Sequence, residues 1–175
     1  MYKQFVCKLS LLYHRFMQTD ADPLALERQV CFALSVASRN VVALYRPLLE
    51  PMGLTHPQYL VMLALWGDSP LSVKEISGLL QLDPGTLSPL LKRLESAGYV
   101  RRERDSSDER QLAVTLTPTG LALRTEAEKI PAAMMQRLDL SLDELEHLHD
   151  VLTRVIAASS TDTVPGGAGA GRPAH

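Results

Sequence analysis

The sequence predicts a mainly α-helical chain that contains one small β-hairpin. Apolar residues recur every three or four positions in several segments, a spacing that is typical of amphipathic helices. Between two such segments, strand-forming residues flank the charged, turn-forming run DSSDE, which is typical of a hairpin. The 175 residues, 46% of them hydrophobic, are enough for one globular domain with its own core.

The first predicted element to consider is a short helix that begins at Pro84. Asp83 can cap this helix, and the missing N–H of a proline costs nothing in a first turn. Pro89 removes one hydrogen bond inside the helix, so we expect an irregular start. Gly98 is a typical terminator. The predicted buried face consists of Leu87, Leu90, Leu91 and Leu94, and the opposite face of Thr86, Ser88, Lys92 and Arg93.

A hairpin is predicted to follow, with strands over Tyr99–Arg104 and Gln111–Leu116 and a polar tip at Asp105–Glu109. Before the helix, Ser72 and Glu75 form a capping box that opens another short helix, Val73–Leu80. Two short helices followed by a hairpin predict a winged helix-turn-helix, in which the second helix fits a DNA major groove. The alternative is that the amphipathic helix is simply exposed to solvent and the hairpin is an ordinary one, with no role in binding DNA. Charge alone does not exclude this alternative, because nearby acidic residues offset the positive charge of the local lysine and arginines.

Composition limits the classes of function. The formal net charge of −2 and the pI of about 6.2 exclude a global basic field, so DNA affinity must come from a local patch and weaken with salt. Two cysteines, Cys7 and Cys31, make no disulfide framework and favour a cytoplasmic protein. No apolar run is long enough to cross a membrane. No His/Cys/Glu cluster has the spacing of metal ligands, and we expect no cofactor.

Further helices flank the predicted winged helix. Pro23–Leu49 should be one long helix that Pro47 and Pro51 bend or end, and its continuous apolar stripe needs a partner. Thr55 and Gln58 form a capping box before a helix over Pro57–Trp66. Pro118–Met135 and Leu142–Ala158 are the last two predicted helices, and Ser141 and Glu144 form a capping box before the second. The apolar stripe consists of Val30, Leu34, Ala37, Val41, Leu44 and Leu48.

The two ends of the chain differ from the rest. Residues 1–22 form an N-terminal extension with two open interpretations: translation starts naturally at Met17, or an extra helix adds dimer contacts. Residues 159–175 are rich in Gly, Ala, Pro and Thr, and we expect a disordered tail.

Two separate stretches resemble the MarR family of dimeric winged-helix regulators. DPGTLSPLLKRLESAGYVRR, followed by DERQLAVTLTPTG, matches that family through Asp108-x-Arg110, Leu116-Thr117 and Gly120. QVCFALSVASRNVVALYRPLLEPMGLTHPQYLVMLALW is similar to the family's organic-hydroperoxide-sensing branch, OhrR, whose first helix carries a reactive cysteine. The resemblance covers about 26–131 and extends more weakly to about 158.

The resemblance implies a division of labour along the chain. Residues 55–117 would bind DNA, and residues 23–54 and 118–158 would form a helical dimerisation region. A homodimer would read a roughly palindromic operator, with Arg110 in the minor groove and Asp108 orienting it. A surface ion pair is the alternative for those two residues. The expected DNA-binding residues are Thr86, Ser88, Lys92, Arg93, Arg101, Asp108 and Arg110.

Cys31 would be the redox-sensing residue. A reactive cysteine needs a stabilised thiolate, and Arg28 lies three residues earlier on the same predicted helix face. Tyr45 and Tyr59 are possible pocket partners. Because Tyr45 lies 14 residues after Cys31, roughly 21 Å along a helix, it can reach that sulfur only from the other subunit. The alternatives are that Cys31 is a small buried hydrophobe and Tyr45 a packed interface aromatic.

The sequence departs from the OhrR pattern at two places. Ser35 stands where that pattern has another tyrosine, which weakens the expected stabilisation of the thiolate. No resolving cysteine is present in the C-terminal half. Oxidised Cys31 must therefore pair with a low-molecular-weight thiol, pair with Cys7, or oxidise further.

The sequence thus predicts a DNA-binding transcriptional regulator, a repressor rather than an enzyme, that releases its operator when organic hydroperoxide oxidises Cys31. The nearest alternative is a MarR-type regulator that responds to a small aromatic ligand, with no redox role for Cys31. A thiol peroxidase and an architectural DNA-binding protein are the remaining alternatives. The absence of a resolving cysteine argues against the peroxidase, and the low net charge argues against the architectural protein.

Overall fold

The structure, a computed structural model, describes residues 22–104 and 112–160. Cys7, Met17, Asp108 and Arg110 lie outside these ranges, as do the tip of the predicted wing and residues 161–175. The helices are α1 (Val30–Leu49), α2 (His56–Gly67), α3 (Val73–Leu80), α4 (Pro84–Ser96), α5 (Pro118–Ala122), α6 (Arg124–Ala127), α7 (Ile130–Leu138) and α8 (Leu142–Ser160). The strands are β1 (Leu71–Ser72), β2 (Val100–Arg104) and β3 (Leu112–Leu116).

The chain forms two compact units that divide between Ala122 and Leu123. The first contains α1 to α5 and the sheet, and the second contains α6 to α8. None of the helices in ranges 22–104 and 112–160 combines the length and the apolar character needed to cross a bilayer.

The predicted hairpin is confirmed, with one additional strand. β2 and β3 pair antiparallel from Val100 opposite Leu116 to Arg104 opposite Leu112. β1 joins on the other side of β3, with Leu71 opposite Val114, so the strand order among the described residues is β1-β3-β2. Sequence periodicity could not indicate β1, because two residues are too few to show alternation.

The core of the first unit lies between α2, α3, α4 and the sheet. Its fully buried side chains are Leu49, Val61, Met62, Leu65, Ile76, Leu87, Leu91, Leu94, Val100 and Val114. Trp66 is also buried, and its indole Nε1 donates to the Gly120 carbonyl at 2.9 Å. The helix-turn-helix therefore packs on the hairpin through leucine and valine side chains, and its polar face remains outside.

The helix starts that depend on local capping are confirmed. The Ser72 backbone N–H donates to Glu75 Oε2 at 2.7 Å, and the Glu75 N–H donates to Ser72 Oγ at 3.1 Å. The Thr55 N–H and hydroxyl both donate to Gln58 Oε1 at 2.8 Å. In the second unit, the Ser141 N–H donates to Glu144 Oε2 at 2.9 Å. Each cap uses residues three apart, so a single sequence is enough to find it.

The predicted start of the first helix, at Pro23, is wrong. Leu26–Arg28 is a 3₁₀ turn, and Gln29 is extended, with φ −80° and ψ 119°, so that α1 begins only at Val30. The Gln29 side-chain amide donates to the Pro23 carbonyl at 2.8 Å. This side-chain bond gives the carbonyl of the preceding turn a partner that a continuing helix would otherwise have supplied. At its other end α1 passes through Pro47 and ends at Leu49, before a 3₁₀ turn that contains Pro51.

The single helix predicted over Pro118–Met135 is also wrong, since α5, α6 and α7 divide it. Pro131 lacks the N–H that a continuous helix would donate to the Ala127 carbonyl, which accounts for the second break. The Gly120 carbonyl is engaged by the indole of Trp66, next to the end of α5. The last helix extends to Ser160, two residues into the predicted tail.

Candidate DNA interface and redox site

The N-terminus of α4 is held by its predicted cap. Asp83 Oδ1 accepts the Thr86 backbone N–H at 2.9 Å, and Asp83 Oδ2 accepts the Thr86 hydroxyl at 2.6 Å. These hydrogen bonds from Thr86 hold the pKa of Asp83 below its ordinary value. The Asp83 carbonyl accepts from both Thr86 and Leu87, and α4 runs unbroken from Pro84 through Pro89 to Ser96. The irregular start that was expected from Pro89 is therefore not observed.

The two faces of α4 differ as predicted. Leu87, Leu91 and Leu94 are fully buried, and Leu90 is half-buried. Four side chains expected to contact DNA are exposed on the other face: Thr86, Ser88, Lys92 and Arg93. A helix with one leucine face in the core and an exposed polar and basic face is suited to a DNA groove.

The hydroxyls on this face are already used as donors. Thr86 donates to Asp83, and Ser88 Oγ donates to the Pro84 carbonyl at 2.7 Å. A phosphate oxygen only accepts hydrogen bonds, so these hydroxyls would have to give up their present partners to donate to it. The exposed cations Lys92 and Arg93 are therefore the stronger candidates for backbone contacts.

The end of α4 leads directly into the hairpin. Gly98 has a φ of +75°, and the Tyr99 backbone N–H closes on the Leu94 carbonyl at 3.0 Å, which confirms the predicted terminator. On β2, Arg101 is exposed, with Nη1 3.4 Å from Glu103 Oε1. The wing tip with Asp108 and Arg110 lies outside the described residues, so of the hairpin's expected contacts only Arg101 can be placed.

Sequence reasoning missed how the base of the hairpin is held. The Thr117 hydroxyl donates to the Gly98 carbonyl at 2.6 Å, and its oxygen accepts the Gly120 N–H at 3.0 Å. A Cβ at Gly120 would lie 2.0 Å from the Tyr99 carbonyl oxygen, so only glycine fits. The Tyr99 hydroxyl donates to the Met52 carbonyl at 2.9 Å. In the sequence, Thr117 and Gly120 stood out only because their spacing matches the family's motif, and that match did not reveal their hydrogen bonds.

Cys31 is the second residue of α1, and its side chain is exposed, so the alternative of a buried hydrophobe does not hold within one chain. The geometric reason for choosing Arg28 as its partner was wrong. Arg28 ends the 3₁₀ turn, and extended Gln29 separates it from α1, so the two residues do not share a helix face.

Tyr45 and Tyr59 are brought together, as their assignment to one pocket requires. Their ring centroids are 5.9 Å apart, and Tyr45 also meets His56 edge-on at 4.9 Å. Burial raises the pKa of Tyr45 and of Tyr59, so both phenols remain protonated donors at neutral pH. Burial lowers the pKa of His56, a residue that sequence reasoning missed because a single histidine carries no pattern.

Cys31 cannot meet this aromatic cluster within its own chain. Both Cys31 and Tyr45 lie on α1, which is unbroken from Val30 to Leu49. Fourteen residues of helix separate them by roughly 21 Å. Contact between the sulfur and the Tyr45 phenol would therefore require a second subunit.

The apolar stripe of α1 is incompletely covered. Val30 is 69% exposed and Leu34 37% exposed, Ala37 is exposed as well, and only the later positions are half-buried. An exposed apolar stripe on a helix is the pattern expected for an interface with another chain.

A cavity of about 550 Å³ opens between the C-terminal half of α1 and the start of α2. Arg39 and Arg46 line one side, and His56 and Thr55 line the other, with Glu50 as the acidic member. Val42, Ala43 and Pro57 supply apolar walls. The size and lining suit a small ligand that combines an apolar body with a negative charge.

The chain is similar in sequence to a known protein family and to several of its members. The model of the MarR family matches residues 54–112. The chain is 47% identical over 131 residues to the HTH-type transcriptional regulator TtmR of Methylorubrum extorquens, a match that covers 75% of this chain and 67% of TtmR. It is 39% identical over 136 residues to the organic hydroperoxide resistance transcriptional regulator of Bacillus subtilis, covering 78% of this chain and 92% of that protein.

A solved structure extends the comparison to the fold. Reduced AbfR bound to DNA has a TM-score of 0.64 and 36% identity, covering 76% of this chain and 93% of AbfR. AbfR is a protein of Staphylococcus epidermidis, and its overoxidised form has also been crystallised with DNA, with a TM-score of 0.62.

The helix-turn-helix and its hairpin thus define a winged-helix transcriptional regulator, and the predicted fold class is confirmed. The chain belongs to the MarR family.

Proposed function

We propose that this chain is a homodimeric repressor that binds a roughly palindromic operator and releases it when organic hydroperoxide oxidises Cys31. The observation that carries DNA binding is the outer face of α4, where Lys92 and Arg93 are exposed while Leu87, Leu91 and Leu94 on the other face are fully buried. Arg101 extends this cationic surface onto β2, and Asp108 and Arg110 would complete it at the wing tip.

The exposed part of the α1 stripe supports the proposal that the chain dimerises. Val30, Leu34 and Ala37 would leave water if the same stripe of a second copy packed on them. A two-fold dimer presents two copies of α4, which is why the operator should contain two related half-sites. Residues 23–54 and 118–158 remain our assignment for the dimerisation region.

The proposed sensing step is oxidation of the Cys31 thiolate. The sulfur attacks the terminal oxygen of the hydroperoxide, the O–O bond breaks, and the leaving alkoxide takes a proton to become an alcohol. Cys31 is left as a sulfenic acid. Two features support this step: the exposure of Cys31 and the 39% identity to a regulator that is named for organic hydroperoxide resistance.

The partner subunit would supply the donors that stabilise the thiolate. A neutral phenol can donate to a thiolate and favours the charged form. Tyr45 and Tyr59 have that protonation state, and Tyr45 is too far along α1 to act on Cys31 of its own chain. Sensing and dimerisation would then depend on one interface, so that oxidation changes the packing that sets the spacing of the two α4 helices.

The sulfenic acid needs a second step. A low-molecular-weight thiol can attack the oxidised sulfur, with water leaving, to give a mixed disulfide. The crystals of overoxidised AbfR with DNA support the view that the kind of product, rather than the loss of the thiolate, decides release. We therefore expect the mixed disulfide, which adds bulk at Cys31, to release DNA more effectively than higher oxidation does.

The test is fluorescence anisotropy on the DNA just upstream of the chain's own gene, titrated with cumene hydroperoxide in the presence and absence of a small thiol. Cys31→Ser runs beside wild type as the matched control. Wild type should release DNA with hydroperoxide plus thiol, a reductant should restore binding, and Cys31→Ser should remain bound. If both proteins stay bound under every condition, Cys31 is not the sensor, although the assignment of α4 to DNA binding stands.

A second candidate function is supported by the cavity beside α1. Arg39, Arg46 and His56 could receive the carboxylate or phenol of a small aromatic ligand. A response to such a ligand would survive Cys31→Ser and would weaken in Arg46→Ala. The same anisotropy assay with benzoate as the probe separates this function from redox sensing.

A further inference from the structure

Arg101 and Arg102 are neighbours on β2 but occupy very different surroundings. Successive residues of a strand point to opposite faces. The Arg101 side chain is 63% exposed, whereas that of Arg102 is 30% exposed and turns back towards the last turn of α4. There it meets Glu95, whose side chain is 35% exposed. Neither Glu95 nor Arg102 was among the residues that the sequence predicted to be functional.

The contact between Arg102 and Glu95 uses both oxygens of the carboxylate. Arg102 Nε donates to Glu95 Oε2 at 2.9 Å, and Arg102 Nη2 donates to the same oxygen. The Arg102 backbone N–H donates to Glu95 Oε1 at 3.2 Å. The bonds from Arg102 hold the pKa of Glu95 below its ordinary value, so the carboxylate stays ionised.

The backbone bond has a further consequence for the hairpin. In the described sheet β2 pairs only with β3, so alternate N–H groups of β2 point away from the sheet. Glu95 accepts the N–H of Arg102 on that open side. The last turn of α4 is therefore joined to β2 through both a side chain and the main chain, close to the terminating Gly98.

We propose that Glu95 and Arg102 are positioning residues that hold the hairpin at a fixed angle to α4. The outer face of α4 and the exposed side of β2 can then meet DNA together. Neither residue would contact DNA itself, because a carboxylate repels phosphate and the Arg102 guanidinium is already engaged. The inference rests on the proposed DNA binding of this chain, but not on the redox role of Cys31.

Electrostatics alone gives the opposite expectation. Removing an acidic charge next to a cationic DNA surface should strengthen binding, because the chain then repels phosphate less. If Glu95 holds the hairpin in place, removing its charge should weaken specific binding instead. The sign of the effect therefore separates the two explanations.

The chain offers a matched control in Glu103. Glu103 is on the same hairpin and pairs with Arg101 across exposed surface, so Glu103→Gln makes the same charge change without touching α4. Affinities should be measured by anisotropy for the upstream DNA and for an unrelated duplex of equal length. We expect Glu95→Gln to lower the ratio of the two affinities roughly tenfold. Glu103→Gln, which releases Arg101 on the proposed DNA surface, should not lower that ratio.

Arg102→Lys supplies a second variant that keeps the charge but loses the planar fork. It should lower the affinity ratio by less than Glu95→Gln. The double variant Glu95→Gln/Arg102→Lys should be no worse than Glu95→Gln alone, since the residues act through each other. Circular dichroism verifies that each variant is folded at the assay temperature; if Glu95→Gln is not, Arg102→Lys is the deciding variant.

Hydroxyl-radical footprinting gives a readout that a general loss of stability would not produce. Glu95→Gln should lose protection of the DNA where the hairpin binds while keeping protection beneath α4. If Glu95→Gln binds as specifically as Glu103→Gln, the positioning role is wrong. If wild type itself shows no preference for the upstream DNA, the proposed function fails instead.

Discussion

The helix-turn-helix with its hairpin and the long helix α1 belong to the same compact unit, yet they differ in how complete they are within one chain. Leu87, Leu91 and Leu94 of α4 and the two valines of the sheet, Val100 and Val114, are fully buried, and polar bonds join α4 to the hairpin. The apolar stripe of α1 instead begins with exposed Val30 and Leu34, beside an exposed thiol. One region can present its polar surface as a monomer, whereas the other is exposed unless the proposed dimer covers it.

Oxidation of a single cysteine can act more easily on α1 than on the helix-turn-helix. A surface formed by a closed core is hard to change by oxidising one sulfur, because packed cores resist small displacements. An interface that forms only on association is easier to change, because the balance between two arrangements of subunits rests on few contacts. Cys31 lies on the incomplete region.

The largest effect is expected from emptying the closed core. Leu87→Ala removes a side chain that has no exposed surface, and should lower the free energy of unfolding by about 3 kcal/mol. Leu79→Ala is the control, since Leu79 is 63% exposed on α3, and should change stability by less than about 0.5 kcal/mol. Urea denaturation measures both, and equal losses would contradict the assignment of the core to the inner face of α4.

The next effect is expected at the incomplete region. Leu34→Glu places a charge in the α1 stripe, so the proposed dimer should dissociate while each chain remains folded. Affinity for an operator with two half-sites should fall by about a hundredfold. Sedimentation velocity and anisotropy measure the two effects, with Leu34→Met as the control. A dimeric Leu34→Glu variant would show that the interface lies elsewhere.

A smaller effect is expected from removing one cation of α4. Arg93→Ala should weaken operator binding by about tenfold and lower the slope of log affinity against log salt by about one, because one phosphate contact is lost. Arg154→Ala makes the same charge change at an exposed position of α8 and should leave both quantities unchanged. An equal response of the two variants would mean that net charge, rather than the α4 surface, drives binding.

The smallest effect concerns the cap of α4. Hydrogen bonds from Thr86 lower the pKa of Asp83 in the folded chain, so their stabilising effect is present above the unfolded pKa and is lost as the pH falls through the folded value. Asp83→Ala should therefore lower the Tm slightly at neutral pH, and this difference should disappear in acid. Thermal melts from pH 7 to pH 2.5 measure it. A difference that persists at the lowest pH would assign the effect to something other than the ionised cap.

The parts of the fold that depend on neighbours in sequence were predictable. The caps at Ser72, Asp83 and Ser141 and the terminator at Gly98 each depend on residues at most five apart, and all were confirmed. The start of α1 was not predicted, because Gln29 forms its bond to the Pro23 carbonyl in place of a helical turn, and composition gives no sign of that choice.

The DNA-binding surface and the aromatic cluster near α1 were predictable from the sequence to different degrees. The outer face of α4 followed from leucine spacing alone. The contact between Glu95 and Arg102 could not be predicted in this way, because two charged residues seven apart, one on a helix and one on a strand, show no periodicity. The pairing of Tyr45 with Tyr59 followed only from family resemblance, and His56 was missed because its role depends on packing between two helices.

Mixed dimers test whether sensing needs residues from two subunits. One mixture combines a Cys31→Ser chain with a Tyr45→Phe chain, and the other combines wild type with a chain that carries both substitutions. If Cys31 acts with the partner's Tyr45, the first mixed dimer keeps one intact site and should lose operator DNA on treatment with cumene hydroperoxide and a thiol. The second mixed dimer keeps no intact site and should remain bound. The reverse outcome, with only the second mixed dimer responding, would place Cys31 and Tyr45 in the same working site of one chain and rule out sensing across the subunit interface.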